Sequence, residues 1–120
     1  MRLNHINLPV SDVATAAGFL REFFGLSNLR QRETRKRALL GDDNGMVVNI
    51  SNFQDADSVQ YPEFFHIGFI RDNREEVDEA HRRLVEAGYK AEAPRSFHGS
   101  WTFFVEAPGG FTVEVQTYEG

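Results

Sequence analysis

Two histidines and one glutamate stand where their chemistry can be pooled. His5 lies in the apolar run Leu3–Leu8, L-N-H-I-N-L, and His66 in the similar run Phe64–Phe69, F-F-H-I-G-F, about half the chain away. Side chains alternate faces along a strand, so His5 shares a face with Asn7, and His66 with Gly68. Toward the end of the chain, Thr112, Glu114 and Gln116 share one face of an extended run while Phe111, Val113 and Val115 take the other. A glutamate on a largely shielded strand costs several kcal/mol unless it is paired or coordinated. Two imidazoles and a carboxylate suit a divalent ion of the Mn, Fe, Ni or Zn type, and three protein donors leave positions open for water or substrate. A single strand histidine is more often a hydrogen-bonded core or rim residue. The metal reading rests on two histidines at matching places plus a compatible carboxylate.

Other polar residues fall near these three. Asn49 occupies in the first half the place that Glu114 occupies in the second. Asn7, Asn49, Ser100, Thr102 and Gln116 are candidate substrate contacts, and Glu114 and His98 are the candidates for direct catalytic roles. His98 precedes a strand, where an imidazole can exchange protons near neutral pH; an exposed loop histidine is the plainer alternative. Trp101, Phe103 and Phe104 offer an apolar wall or core packing.

The elements that must position these residues repeat. Each histidine strand is followed by a polar cap and a helical period. The first is Ser11-Asp12, then Val13, Ala16, Ala17, Leu20, Phe23 and Phe24, stopped by Gly25. The second is Asp72-Asn73, then Val77, Ala80, His81, Leu84 and Val85, stopped by Gly88. Three strands then close each half. In the first they are Leu29–Arg32, Arg37–Leu40 and, past the turn Asp42-Asp43-Asn44-Gly45, Met46–Ile50. In the second they are Lys90–Ala93, Trp101–Val105 and, past Ala107-Pro108-Gly109-Gly110, Phe111–Thr117. The second half carries extra residues around Arg95–Ser100. The expected fold is therefore α+β: one domain, 1–120, of two tandem βαβββ modules, 1–52 and 63–120, joined by a polar linker, 53–62. Neither module is large enough alone for a sturdy core, so the two sheets are expected to form one curved mixed-sheet cup.

The totals narrow the function. The chain has 120 residues, 41% of them hydrophobic and 26% charged, as ordinary globular domains do. A net charge of −5 disfavours nucleic acid, which demands a basic footprint. Arg30, Arg32, Arg35, Lys36 and Arg37 form a local basic cluster, read as a solvated hairpin or as a rim that steers anions. There is no cysteine, no signal-peptide pattern at the N-terminus, and no run near the ~20 apolar residues of a membrane span. A cytoplasmic protein with a small-molecule partner is expected, without nucleic acid or membrane.

The runs Leu3–Asp12, Phe65–Phe69 and Pro108–Val115, the last reading P-G-G-F-T-V-E-V, resemble the module openings and closing strand of the vicinal oxygen chelate superfamily. That group holds glyoxalases, bleomycin-resistance proteins and extradiol dioxygenases. The resemblance spans nearly the whole chain. It implies one divalent metal held by His5, His66 and Glu114, chelating neighbouring oxygens of a substrate in lyase, transferase or dioxygenase chemistry. It also implies a homodimer. Glyoxalase I and methylmalonyl-CoA epimerase normally carry a fourth ligand, usually Glu, where this chain has Asn49. Asn49 has no useful basicity, so their isomerase chemistry is not expected, and Asn49 is expected beside the metal. Fosfomycin-resistance transferases carry a Lys near the place of Pro94 and an Arg in a longer C-terminus. Single-ring extradiol enzymes are usually longer. Bleomycin-binding relatives lack the metal ligands altogether. A metal-dependent enzyme and a metal-free binder of a small aromatic or antibiotic both remain open here.

Overall fold

The computed structural model describes residues 1–29 and 32–119. Its elements, in chain order, are β1 (His5–Pro9), α1 (Val13–Phe24), β2 (Ser27–Asn28), β3 (Arg37–Gly41), β4 (Val47–Ser51), β5 (His66–Ile70), α2 (Arg74–Glu86), β6 (Arg95–Phe97), β7 (Ser100–Glu106) and β8 (Thr112–Tyr118). The fold is α+β, two βαβββ modules in tandem. One sheet has the order β1-β4-β3-β2 and the other β5-β8-β7-β6. In each, the first strand lies parallel to the last and the remaining pairs are antiparallel. The helix supplies the crossover that a parallel pair needs.

The chain divides into two compact units, Met1–Gln60 with Pro108–Gly110, and Tyr61–Ala107 with Phe111–Gly120. In the first unit α1 buries Val13, Ala16, Ala17, Phe19 and Leu20, while Leu8, Ala38, Leu40, Val48 and Ile50 are buried on the strands. In the second, α2 buries Val77 and Leu84, and Phe103, Val105, Val113 and Val115 are buried on β7 and β8.

The caps follow the expected chemistry. Asp12 accepts from the Thr15 amide at 3.1 Å and the Thr15 hydroxyl at 2.8 Å, which holds its carboxyl below the usual range. Gly25, at φ +71°, turns the chain out of α1 in the left-handed region. Asn73 accepts from the Glu76 amide at 2.9 Å, and Glu75 and Glu76 lie at the positive end of α2.

Two strands differ from expectation. The strand expected at Leu29–Arg32 is instead Ser27–Asn28, next to Gly25; Arg30 and Gln31 lie outside the described residues. The strand expected at Lys90–Ala93 is reduced to a single bridge between Ala91 and Val105, and the edge strand is β6, beyond Pro94. Proline cannot donate to a ladder, so regular pairing resumes past it.

Candidate functional site

The second sheet sets a carboxylate and an imidazole side by side. β8 alternates, burying Val113, Val115 and Thr117 and leaving Thr112, Glu114 and Gln116 half-buried on the open face. The parallel register opposes His66 to Thr112 and Gly68 to Glu114. His66 Nε2 lies 3.5 Å from Glu114 Oε1, with the side chains 42% and 14% exposed. A Cβ on Gly68 would stand 4.0 Å from Glu114 Oε1, so glycine keeps the space in front of the carboxylate open. On β7, Phe104 stands directly opposite Glu114, and its ring meets the His66 ring edge-on at 5.6 Å. Thr102, the diagonal neighbour, donates its hydroxyl to Glu114 Oε2 at 2.7 Å.

The hydrogen bonds on the imidazoles fix which nitrogen is available. A backbone carbonyl can only accept, so His66 Nδ1, 3.0 Å from the Phe64 carbonyl, carries the proton. In the neutral ring Nε2 then presents a lone pair toward Glu114. Two electron-rich groups face each other across a gap too long for a charge-assisted hydrogen bond, normally about 2.7–2.9 Å. One ion at the usual ~2.0–2.2 Å from each donor spans a gap of this size. His5 repeats the pattern, with Nδ1 2.7 Å from Asn4 Oδ1. Metal-bound histidines characteristically give their second N–H to such an oxygen. The His66–Glu114 pair therefore offers a divalent cation two donors. His5 belongs to the first unit and His66 with Glu114 to the second; among the described residues no group of three or more His, Cys, Asp or Glu side chains gathers as a metal cage.

The first sheet carries a different network at the corresponding positions. Asn7 opposes Asn49 on β1 and β4, as Gly68 opposes Glu114. The alignment of the two halves is thus fixed by register. Asn49 donates to Asn7 Oδ1 at 2.6 Å and accepts from Arg37 Nε at 2.9 Å, while Ser51 also donates to Asn7 Oδ1 at 2.9 Å. Arg37 pairs with Ser51 as Thr102 pairs with Gln116. A cation supports a neutral amide in one half where a hydroxyl supports a carboxylate in the other.

The remaining expected residues separate. Gln116 lies on the open face two positions from Glu114. Thr102 is only 1% exposed and Ser100 is buried. His98 and Gly99, at φ +51° and +78°, are the two central residues of the tight hairpin between β6 and β7, and the His98 ring packs on Phe97 at 3.9 Å. Phe103 is buried against His81, and Trp101 donates to Asp78 at 2.8 Å under the Arg74 guanidinium. Only Phe104 of the three aromatics joins the open face. From the basic cluster, Arg35 pairs with Asp55 at 3.4 Å and Arg37 belongs to the Asn49 network; Arg30 is outside the described residues. A cleft of about 650 Å³ runs beside β7, with Lys90, Arg95, Thr102, Phe104 and Glu106 among its lining. Arg37 as Asn49's partner, Gly68, and the oxygens that orient the imidazoles are not singled out by the sequence pattern. The repeat could have flagged Gly68, since it replaces Asn7.

Known proteins bear on this geometry. The sequence model of the Glyoxalase/Bleomycin resistance protein/Dioxygenase superfamily matches residues 2–115. A possible glyoxalase from Bacillus cereus is 41% identical, with a TM-score of 0.85 over 96% of this chain and 97% of that one. The fosfomycin resistance protein FosX from Listeria monocytogenes is 24% identical, with a TM-score of 0.79 over 98% and 93%. TnmS3, an antibiotic binding protein from Streptomyces sp. CB03234, is 16% identical, with a TM-score of 0.77 over 99% and 97%. The last two likenesses are of fold. No curated protein sequence matches the chain.

Proposed function

The chain belongs to the Glyoxalase/Bleomycin resistance protein/Dioxygenase superfamily, and from that premise we propose that it is a metal-dependent enzyme acting on a small molecule with neighbouring oxygens. The observation that carries the reading is the His66–Glu114 pair: a lone pair facing a carboxylate at 3.5 Å, with the other ring nitrogen already bonded to Phe64. His5, oriented the same way by Asn4, is the third ligand of this reading, and the protein is read as a homodimer. A bound Mn, Fe, Ni or Zn ion would supply Lewis-acid polarisation of the substrate's oxygens. The chain's own residues do the rest. Phe104 walls one side of the carboxylate, and Gly68 leaves the approach open. Asn49, held by Arg37 and Asn7, offers neither a base nor a carboxylate as fourth ligand, which supports lyase, transferase or dioxygenase chemistry over an isomerase's.

Elemental analysis of tag-free protein, followed by calorimetric titration, tests this. Near one equivalent of a first-row metal is expected, with His5→Ala, His66→Ala and Glu114→Gln each weakening uptake at least ~10-fold while the fold survives. Protein that arrives without metal and takes up none on titration would sink the enzyme reading in favour of a metal-free binder.

A further inference from the structure

By its residue type and place in the sequence, Thr102 is expected to touch substrate. Its position gives it a second partner. It lies diagonally across β7 and β8 from Glu114, is 1% exposed, and has two acceptors in reach of its single hydroxyl proton: Glu114 Oε2 at 2.7 Å and the Val115 carbonyl at 3.1 Å. The carboxylate is nearer and charged, and about 2.5–2.7 Å is the range of charge-assisted O–H···O⁻ bonds. The proton is committed to Glu114. With one carboxylate oxygen pinned, the other is turned toward His66. The glutamate would otherwise be free to rotate about its last torsion, which is broad and nearly two-fold.

We infer that Thr102 is a positioning residue for Glu114, a buried hydroxyl that commits Oε2 and leaves Oε1 as the single donor oxygen. The inference rests on the metal reading above and concerns how Glu114 is made a one-oxygen ligand. Thr102 is itself 1% exposed, so its own hydroxyl is what meets Oε2. The first module supports it by contrast: at the position matching Thr102 it has Arg37, bonded to Asn49 Oδ1 at 2.9 Å. The donor-to-strand-centre bond is kept in both halves, from a guanidinium to an amide in one and from a hydroxyl to a carboxylate in the other.

The test is titration of EDTA-stripped protein with Mn²⁺ and Zn²⁺ by calorimetry. Thr102→Val, which keeps the branched shape, is expected to bind metal ~10-fold or more weakly, the usual effect of losing a ligand's hydrogen-bond partner. Thr102→Ser, which keeps the hydroxyl, is expected within ~3-fold of wild type on the same scale. If the valine variant does not fold, Thr102→Ser against Thr102→Ala asks the same question with a smaller cavity difference between the pair. In a Glu114→Gln background, removing the hydroxyl is expected to add little, because Thr102 acts through the carboxylate. Wild-type affinity in Thr102→Val overturns the inference, as does equal weakening in the serine variant, or a loss undiminished by Glu114→Gln. Wild-type protein that takes up no metal removes the metal reading and this inference together; metal-replete wild type with an unaffected valine variant removes this inference alone.

Discussion

Replacing Asn49 with glutamate restores a carboxylate where several relatives in the superfamily carry a ligand, yet the first sheet is built to intercept it. In the wild type Asn49 accepts from Arg37 and donates to Asn7. A carboxylate at this position keeps the Arg37 bond and turns it into an ion pair. Asn7 can rotate its amide to donate where it now accepts. Two unit charges ~4 Å apart attract by ~4 kcal/mol at an effective dielectric of about 20, before desolvation and side-chain ordering are subtracted. A net ~1–2 kcal/mol is a reasonable remainder for a half-buried pair. A metal that recruits the introduced carboxylate must first break this pair, which costs roughly 5–30-fold of whatever affinity the new oxygen brings. Asn49→Glu alone is therefore expected to change Mn²⁺ affinity by less than ~3-fold, whereas Asn49→Glu in an Arg37→Met background should tighten it at least ~10-fold over Arg37→Met. Calorimetric titrations of the wild type, the two single variants and the double variant close the cycle. If Asn49→Glu tightens binding equally with and without Arg37, the guanidinium does not hold the new carboxylate and the reasoning fails.

Other outcomes follow from single features. Tyr61, half-buried between Phe65 and Phe111, has its phenol pushed up to about 12 by burial, so the ultraviolet difference titration between wild type and Tyr61→Phe should show a midpoint near that value and not near the ordinary 10.0. Because the folded value is raised, the stability linked to neutral Tyr61 is complete below the ordinary value of 10.0 and is lost as pH rises toward 12; base denaturation should come at higher pH in Tyr61→Phe. Asp12→Ala should lower Tm at neutral pH. The wild-type carboxyl is depressed, so its contribution is present above the ordinary carboxylate range and fades as pH falls through the folded value, and the two melting curves should converge in acid. Phe111→Ala, which empties a fully buried site beside Tyr61, should cost ~3–5 kcal/mol in urea unfolding.

The repeat is legible because it is written in local chemistry. Asp12 and Asn73 cap, Gly25 stops, and the apolar periods name the buried faces; none of this needs long-range knowledge. The placement of Glu114 on the open face of β8 follows from alternation alone. The edge strands are harder. Ser27–Asn28 pairs over two residues, too short for a pattern, and Pro94 displaces the pairing that the residues of Lys90–Ala93 promise. Thr102 reads as a polar residue facing the site, but its role depends on the β7–β8 register, which sets it diagonal to Glu114, and a register cannot be read from one strand. His98 is hard to place for a related reason: next to Gly99 it is a hairpin turn residue, a fact about backbone torsion that histidine's chemistry does not announce.

The strand order has a consequence for motion. β8 is flanked on both sides, by β5 and β7, whereas β5 and β1 are the outer strands of their sheets. Amide hydrogens in the middle of β8 should exchange with solvent among the slowest in the chain, and those on the outward side of β1 and β5 sooner. Glu114 thus rides on backbone that opens rarely, while both imidazoles ride on margins that can yield. On the proposed metal reading, ions of different radius would be accommodated by small displacements of the His66 strand against a stationary carboxylate.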